Sequence, residues 1–393
     1  MPASWLTSPP GARWPDDGDE ANPYVRYRCL LWSWHRAMEH GWTDDDFVAM
    51  VRDIDDAVAG VDGHGFTVTP AGWVDALGGN GAPARVFAKD ETHNVGGSHK
   101  ARHLMGLLLH LAVDAVAGDT RLAISSCGNA ALGAATVARA AGRPIDVFIP
   151  AWADPAVVER LDALDASVRV CERREGEEGD PCMLRFQEAV ADGALAFGVQ
   201  ATENIWTLDG GRTIGWELAD QLALDPAAHV LVQVGGGALL TSCAIGLLEG
   251  ATAGPLGAAP RVWAVQAEGC APFERAWRAI GHDGTIDDRL ADAEARAHEL
   301  MYPWEDPQSA ATGILDDITY DWLGISRALL LTGGGAVVAD ESDVLAANAR
   351  VREAGFDADH TGTAGYGGVL AAVRQGSIHP EASVGVLITG VRR

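Results

Sequence analysis

The 393-residue sequence has two lysines, Lys89 and Lys100, beside 27 arginines. Arginine carries the solubilising positive charge, so a lysine inside a motif was placed there for another reason. Basic clusters are also missing: 29 basic against 55 acidic side chains leave a formal net charge of −26. That balance repels phosphate backbones and anionic lipid, which excludes nucleic acids and membrane surfaces as expected partners. The longest apolar stretch, residues 104–118, is interrupted by His110 and Asp114 and is too short to cross a bilayer. No basic segment followed by an apolar core opens the sequence, so no secretory leader is read and cytoplasmic residence is expected. Six scattered cysteines (Cys29, Cys127, Cys171, Cys182, Cys243 and Cys270) form no CxxC pair, which argues against a disulfide framework or a cysteine zinc site. An acidic, two-domain chain of enzyme size remains.

The first 23 residues, rich in Pro, Gly and Asp, read as a poorly ordered arm. From Tyr24 the apolar positions Tyr24, Tyr27, Leu31, Trp34 and Met38 recur at helical spacing. A second helix is expected from Thr43, an N-cap followed by three aspartates suited to the positive helix end, and glycines 60–65 break it. These two helices form an N-terminal layer on the main body or on a partner subunit. Beyond them short apolar runs alternate with helical stretches. Strands are expected over 84–88, 121–125, 145–149, 167–171, 195–198, 230–234, 261–266, 335–338 and 384–389. Helices are expected over 100–117, 129–141, 155–164, 212–223, 239–249, 340–354 and 365–375. This alternation predicts an α/β fold with mostly parallel sheets covered on both faces, and ligands bind such sheets beyond the strand carboxyl ends. The motifs fall there.

The first motif is KDETHNVGGSHKARH, residues 89–103. A lysine at a helix start faces the positive dipole end, which lowers its pKa and makes Lys100 a suitable Schiff-base nucleophile and general base. A lysine at that position, read alone, is an ordinary surface residue on the first turn. His93, His99 and His103 also have metal-like spacing, but no carboxylate stands between the i, i+4 pair and no metal is expected. The second motif runs from a buried strand through Ser125, Ser126, Cys127, Gly128 and Asn129 into an alanine-rich helix, whose free N–H groups suit a carboxylate. Cys127 has no partnering base in the sequence and reads as a small buried residue. The third, HVLVQVGGGALL (229–240), is strand, triple glycine, helix, the form of a phosphate cradle. It lacks both the Gly-Lys-Ser/Thr and the GxGxxG signatures of nucleotide binders. A second triple glycine, 333–335, reads as a helix C-cap and turn.

A lysine, a carboxylate-binding loop and a phosphate cradle together favour an aldehyde cofactor with a phosphate arm. The order Gly-Ser-His-Lys (97–100), Ser-Cys-Gly-Asn (126–129), Gly-Gly-Gly (235–237) and Thr-Gly (389–390) resembles the fold-type II pyridoxal phosphate enzymes, the tryptophan synthase β-like superfamily. The likeness runs from about residue 69 to the C-terminus. Segments 204–222, 265–277 and 360–371 look most like the threonine synthase and threonine/serine ammonia-lyase branch. His99 departs from the Phe of most ammonia-lyases there and is similar to the tryptophan synthase β motif.

The resemblance implies two three-layer α/β domains: a smaller one over 96–200, a larger cofactor-binding one over 69–95 plus 201–393, and an N-terminal helical extension over 1–68. It implies pyridoxal 5'-phosphate held as a Schiff base by Lys100, which would also be the general base. Asn129 would bond the phenolic oxygen. Gly235, Gly236, Gly237, Ala238 and Leu239 would hold the phosphate, and Thr389 would face the pyridine nitrogen, with His99 and Glu268 beside the ring. Ser126, Cys127, Gly128 and Ala130 would receive the substrate carboxylate. The implied reaction is β-elimination on a small hydroxy- or β-substituted amino acid through an aminoacrylate-type intermediate, releasing ammonia. The alternative is a threonine synthase-like replacement on a phosphorylated substrate, for which Arg102 and Arg212 are candidate anion ligands. A non-catalytic binding scaffold is the remote alternative. Relatives are commonly dimers, so a homodimer is expected.

Overall fold

The computed structural model describes residues 5–16 and 18–392. Among the described residues ten strands build two sheets. β1 (Ala71–Trp73) and β2 (Arg85–Asp90) precede the first motif. β3 (Leu122–Ser125), β4 (Ile145–Pro150), β5 (Ser167–Cys171) and β6 (Leu195–Ala196) form a four-stranded parallel sheet in the order β5-β4-β3-β6. β7 (His229–Gln233), β8 (Arg261–Ala267), β9 (Gly335–Ala339) and β10 (Ser383–Ile388) join the first two in the order β1-β2-β10-β7-β8-β9. Among the strand pairs of the described residues only β1–β2 is antiparallel. The central strands are buried on both faces, as helix-covered parallel sheets require: all five residues of β7 are buried, and so are all but the first of β10.

The helices Lys100–Val113, Asn129–Ala140 and Ala238–Thr252 start at the three motifs, each just after a strand or loop at the carboxyl edge of a sheet. The second triple glycine behaves as expected: Gly333, at φ 67°, caps the helix Trp322–Thr332. Thr43 caps the helix Asp44–Asp62 in a reciprocal capping box with Asp46, and Gly63 ends it in the left-handed conformation.

Four expectations are corrected. The helix from Tyr24 is not continuous: Pro23–Arg26 and Trp32–Glu39 are separate, with a 3₁₀ turn and an extended Leu31 (ψ 133°) between them. The break lets the Asp209 carboxylate accept the free N–H groups of Trp32 and Ser33 at 3.1 and 3.2 Å. The described part of the N-terminal arm packs on the body. Leu6 is buried, and Trp14 lies edge-on to Tyr27 and donates to Asp220 at 2.9 Å. Residues 1–4 and 17 of that arm lie outside the described residues. The helix expected from Arg212 begins at Thr207, and the one expected from Gly365 begins at His360, capped by Asp359. Glycines near both starts hid the helical pattern. The helix Pro181–Ala191, capped by Asp180, and β1 were not foreseen.

The N-terminal helices lie on the body. Tyr24 donates from its hydroxyl to the Arg102 carbonyl at 2.8 Å, on the helix that starts with Lys100.

Candidate active site

The first motif and the Thr389–Gly390 pair meet through their backbones. Loop 91–99 is laced to the end of β10: Glu91 N–H donates to Ile388 O at 2.8 Å, His99 N–H to Thr389 O at 3.3 Å, and Val391 N–H to Gly97 O at 2.9 Å. Ser98 and Gly390 form an isolated antiparallel bridge. Asn129 stands across from this junction, its Nδ2 3.1 Å from where a Cβ on Gly390 would lie. The strand ends thus bring Lys100, Asn129 and Thr389 to one place.

Lys100 is the first residue of its helix and only partly exposed. Burial lowers its pKa most, and the Asp316 and Asp321 carboxylates partly offset this. It forms no ion pair among the described residues. Burial therefore supplies the main physical cause of a freer amine, beyond the helix dipole expected from sequence. Burial also holds His99 well below the ordinary imidazole pKa, so the ring is neutral. His99 Nδ1 lies 3.3 Å from Thr389 O, and a carbonyl only accepts, so that nitrogen carries the proton. The same argument fixes His103, whose Nδ1 bonds Thr207 O at 2.9 Å while burial lowers its pKa to about 3.

The glycine loop leaves backbone donors open. Gly237 takes φ 111°, a conformation side chains rarely adopt, and turns the chain into the helix from Ala238. No oxygen among the described residues accepts the N–H groups of Ala238, Leu239 or Leu240. A Cβ on Gly235 would collide with Asp316 Oδ2, and the Gly236 N–H favours that carboxylate in its ionised form. Burial nevertheless pushes Asp316 up to about 6 and Asp321 up to about 7, the latter despite N–H bonds from Ala201 and Thr202 at 3.2 Å.

Ser126, Cys127, Gly128 and Ala130 line the turn from β3 into the helix Asn129–Ala140. Burial, then Asp180 and Asp316, push the Cys127 thiol up, so it is no thiolate nucleophile. Glu268 is exposed just beyond β8, and its carboxylate forms no hydrogen bond or ion pair among the described residues.

Arg102 and Arg212 stand apart from this group and are unavailable as anion ligands. Both are fully buried. Arg102 Nε donates to Glu91 Oε2 at 2.7 Å and its Nη1 to Glu217 Oε1 at 2.5 Å. Lys89 Nζ meets Glu217 Oε2 at 2.5 Å. Arg212 pairs with Asp209, and with Glu249 at 2.7 Å. Two guanidiniums consumed by carboxylates have no charge to offer a phosphate. Sequence reasoning missed Asp316 and Asp321, which carry no motif. It also missed Gln233, whose signal was visible: a polar residue closing an apolar strand directly before the triple glycine.

Residues 64–390 match the family described as pyridoxal-phosphate dependent enzyme, PALP. The chain belongs to that family. Its cofactor is pyridoxal 5'-phosphate, and the site fits that group. A helix start with three unclaimed N–H donors suits a phosphate, an unpaired amine of lowered pKa suits an aldehyde, and a buried hydroxyl at Thr389 suits a ring nitrogen. Among relatives, a serine dehydratase-like protein of Rattus norvegicus is 34% identical over 165 residues, 42% of this chain and 47% of that one. The match therefore spans about half of that relative's length. Threonine synthase of Methanosarcina acetivorans is 24% identical over 307 residues, 78% of this chain and 70% of the other. The processed threonine deaminase isoform 2 from Solanum lycopersicum superposes with a TM-score of 0.65 at 16% identity, covering 90% of this chain and 91% of that one. The PALP chain thus has the tryptophan synthase β-like, fold-type II architecture.

Proposed function

We propose that this enzyme is a lyase that eliminates the β-substituent of a small hydroxy- or β-substituted amino acid and releases ammonia and a 2-oxo acid. Pyridoxal 5'-phosphate, when bound, supplies a carbonyl that condenses with amines and a ring that withdraws electrons from the substrate Cα. The chain's own residues do the rest. Lys100 Nζ holds the cofactor and takes the Cα proton, a role that the lowering of its pKa by burial assists. Ser126, Cys127, Gly128 and Ala130 orient the substrate carboxylate at the start of their helix, Asn129 bonds the phenolic oxygen, and residues 235–239 hold the phosphate. Thr389 faces the ring nitrogen with a neutral hydroxyl, which favours elimination.

The observation that carries this reading over replacement chemistry is the neutralisation of Arg102 and Arg212 in buried ion pairs. A phosphorylated substrate needs cations, and around Lys100 the chain presents Asp316 and Asp321 instead. The serine dehydratase-like relative agrees with this reading. The longer match to a threonine synthase favours the second reading, a γ-replacement synthase. Incubation with L-serine, L-threonine and O-phosphohomoserine tests the two. Release of 2-oxo acid from a hydroxy amino acid is expected, and phosphate release from O-phosphohomoserine without 2-oxo acid formation from the others would overturn the proposal.

A further inference from the structure

We propose that Gln233 is a positioning residue that fixes Thr389 as a hydrogen-bond donor toward the cofactor ring. The inference rests on the reading of Thr389 as the ring-nitrogen partner. Gln233 ends β7 and Thr389 follows β10, its parallel neighbour. Gln233 is 4% exposed and Thr389 2%. Gln233 Nε2 lies 2.6 Å from Thr389 Oγ1, 3.2 Å from Gly362 O, and 3.3 Å from both Thr361 O and Leu387 O. Three of these four oxygens are carbonyls, which only accept. The corner of the carboxamide that faces them must therefore be the NH₂ group, because Oε1 there would face oxygen on every side.

It follows that Thr389 Oγ1 accepts from Gln233. The hydroxyl has one proton, and no group among the described residues accepts it. The Thr389 backbone is already held, its N–H on Gly362 O at 3.2 Å and its carbonyl on His99, so side-chain rotation is the remaining freedom. Gln233 removes it. The hydroxyl proton is then aimed away from the carboxamide, as a donor that an unprotonated ring nitrogen accepts. Gly365 makes room for this arrangement: a Cβ there would come 2.8 Å from Gln233 Oε1, a buried oxygen with no partner of its own.

The test is the ¹⁵N signal of ring-labelled cofactor bound to the holoenzyme, read with the ratio of elimination to racemisation. Gln233→Met removes the donor at similar volume. The expected result is a ring-nitrogen signal displaced from its wild-type position and an elimination-to-racemisation ratio about tenfold lower, the worth of one such hydrogen bond. Cofactor affinity should change less than about twofold, since the phosphate cradle is untouched. A Gln233→Met holoenzyme with the wild-type signal and ratio would overturn the inference. If that variant does not fold, Gly365→Ala applies the same readouts to a displaced carboxamide, and an unchanged signal there overturns it equally. Thr389→Val separates the two levels. If it leaves the signal unmoved, the placement of Thr389 at the ring nitrogen falls. If it moves the signal while Gln233→Met does not, only the role of Gln233 falls.

Discussion

Asp316 lays a carboxylate oxygen against Gly235, inside the turn whose backbone N–H groups lead into the helix from Ala238. The chain therefore sets one of its own anions beside the loop where the proposed phosphate would bind. Burial raises the Asp316 pKa from 3.8 to about 6. Above that pH the group is ionised and opposes a phosphate; below it the group is neutral. Asp316→Asn should tighten cofactor binding to the apoprotein about tenfold at pH 8 and less than about twofold at pH 5. Fluorescence titration with pyridoxal 5'-phosphate measures both, and equal effects at the two pH values would refute the competition.

The same group links pH to stability. Its folded pKa is raised, so between about 4 and about 6 the native state holds a proton that the unfolded chain has lost. Its contribution to stability is present below that window and is lost as pH rises through it, by about 3 kcal/mol at full effect. Apoprotein unfolding in urea at pH 5 and pH 8 should show a smaller pH difference in Asp316→Asn than in the parent protein.

Lys100→Ala should abolish the borohydride-reducible adduct and lower turnover by on the order of 10³-fold. Circular dichroism should be unchanged. An adduct surviving on Lys89 would sink the site, and the structure argues against it: Lys89 is 0% exposed and locked on Glu217.

Glu217→Ala tests the buried network. It leaves Lys89 and Arg102 with Glu91 as their one remaining carboxylate partner among the described residues, and removing one partner of such a network costs about 3–5 kcal/mol. Chemical denaturation measures this directly; a loss below about 1 kcal/mol would show that water or rearrangement replaces the pairing.

Asp209→Ala should loosen the N-terminal layer. Asp209 accepts the first N–H groups of the helix from Trp32 and bonds His110 at 2.9 Å. Burial opposes its charge, but Arg212 and His110 outweigh this and hold its pKa at about 2. Limited proteolysis should cut between residues 27 and 42 sooner in the variant. Equal cleavage rates would assign the anchoring to Tyr24 instead.

Much of this was legible in the sequence because parallel sheets announce themselves as apolar runs. All nine expected strands fall on observed ones, and β5 coincides at both ends. The motifs at residues 97–100, 126–129 and 235–237 were local and so could be read. What escaped was long-range. Asp209 interrupts the helical pattern after Tyr24 from 177 positions away in the chain. Arg102 and Arg212 looked like free cations because their carboxylate partners are supplied by other elements. Asp316 reaches the glycine loop from a segment without any pattern. In each case periodicity was overruled by a contact that only the tertiary fold creates.

Lys89 has one more consequence. With its amine sealed in an ion pair, Lys100 is the one lysine left accessible. An amine-directed label should therefore report on a single side chain, and its uptake, followed by mass spectrometry, becomes a direct gauge of how far cofactor or substrate shields the reacting nitrogen.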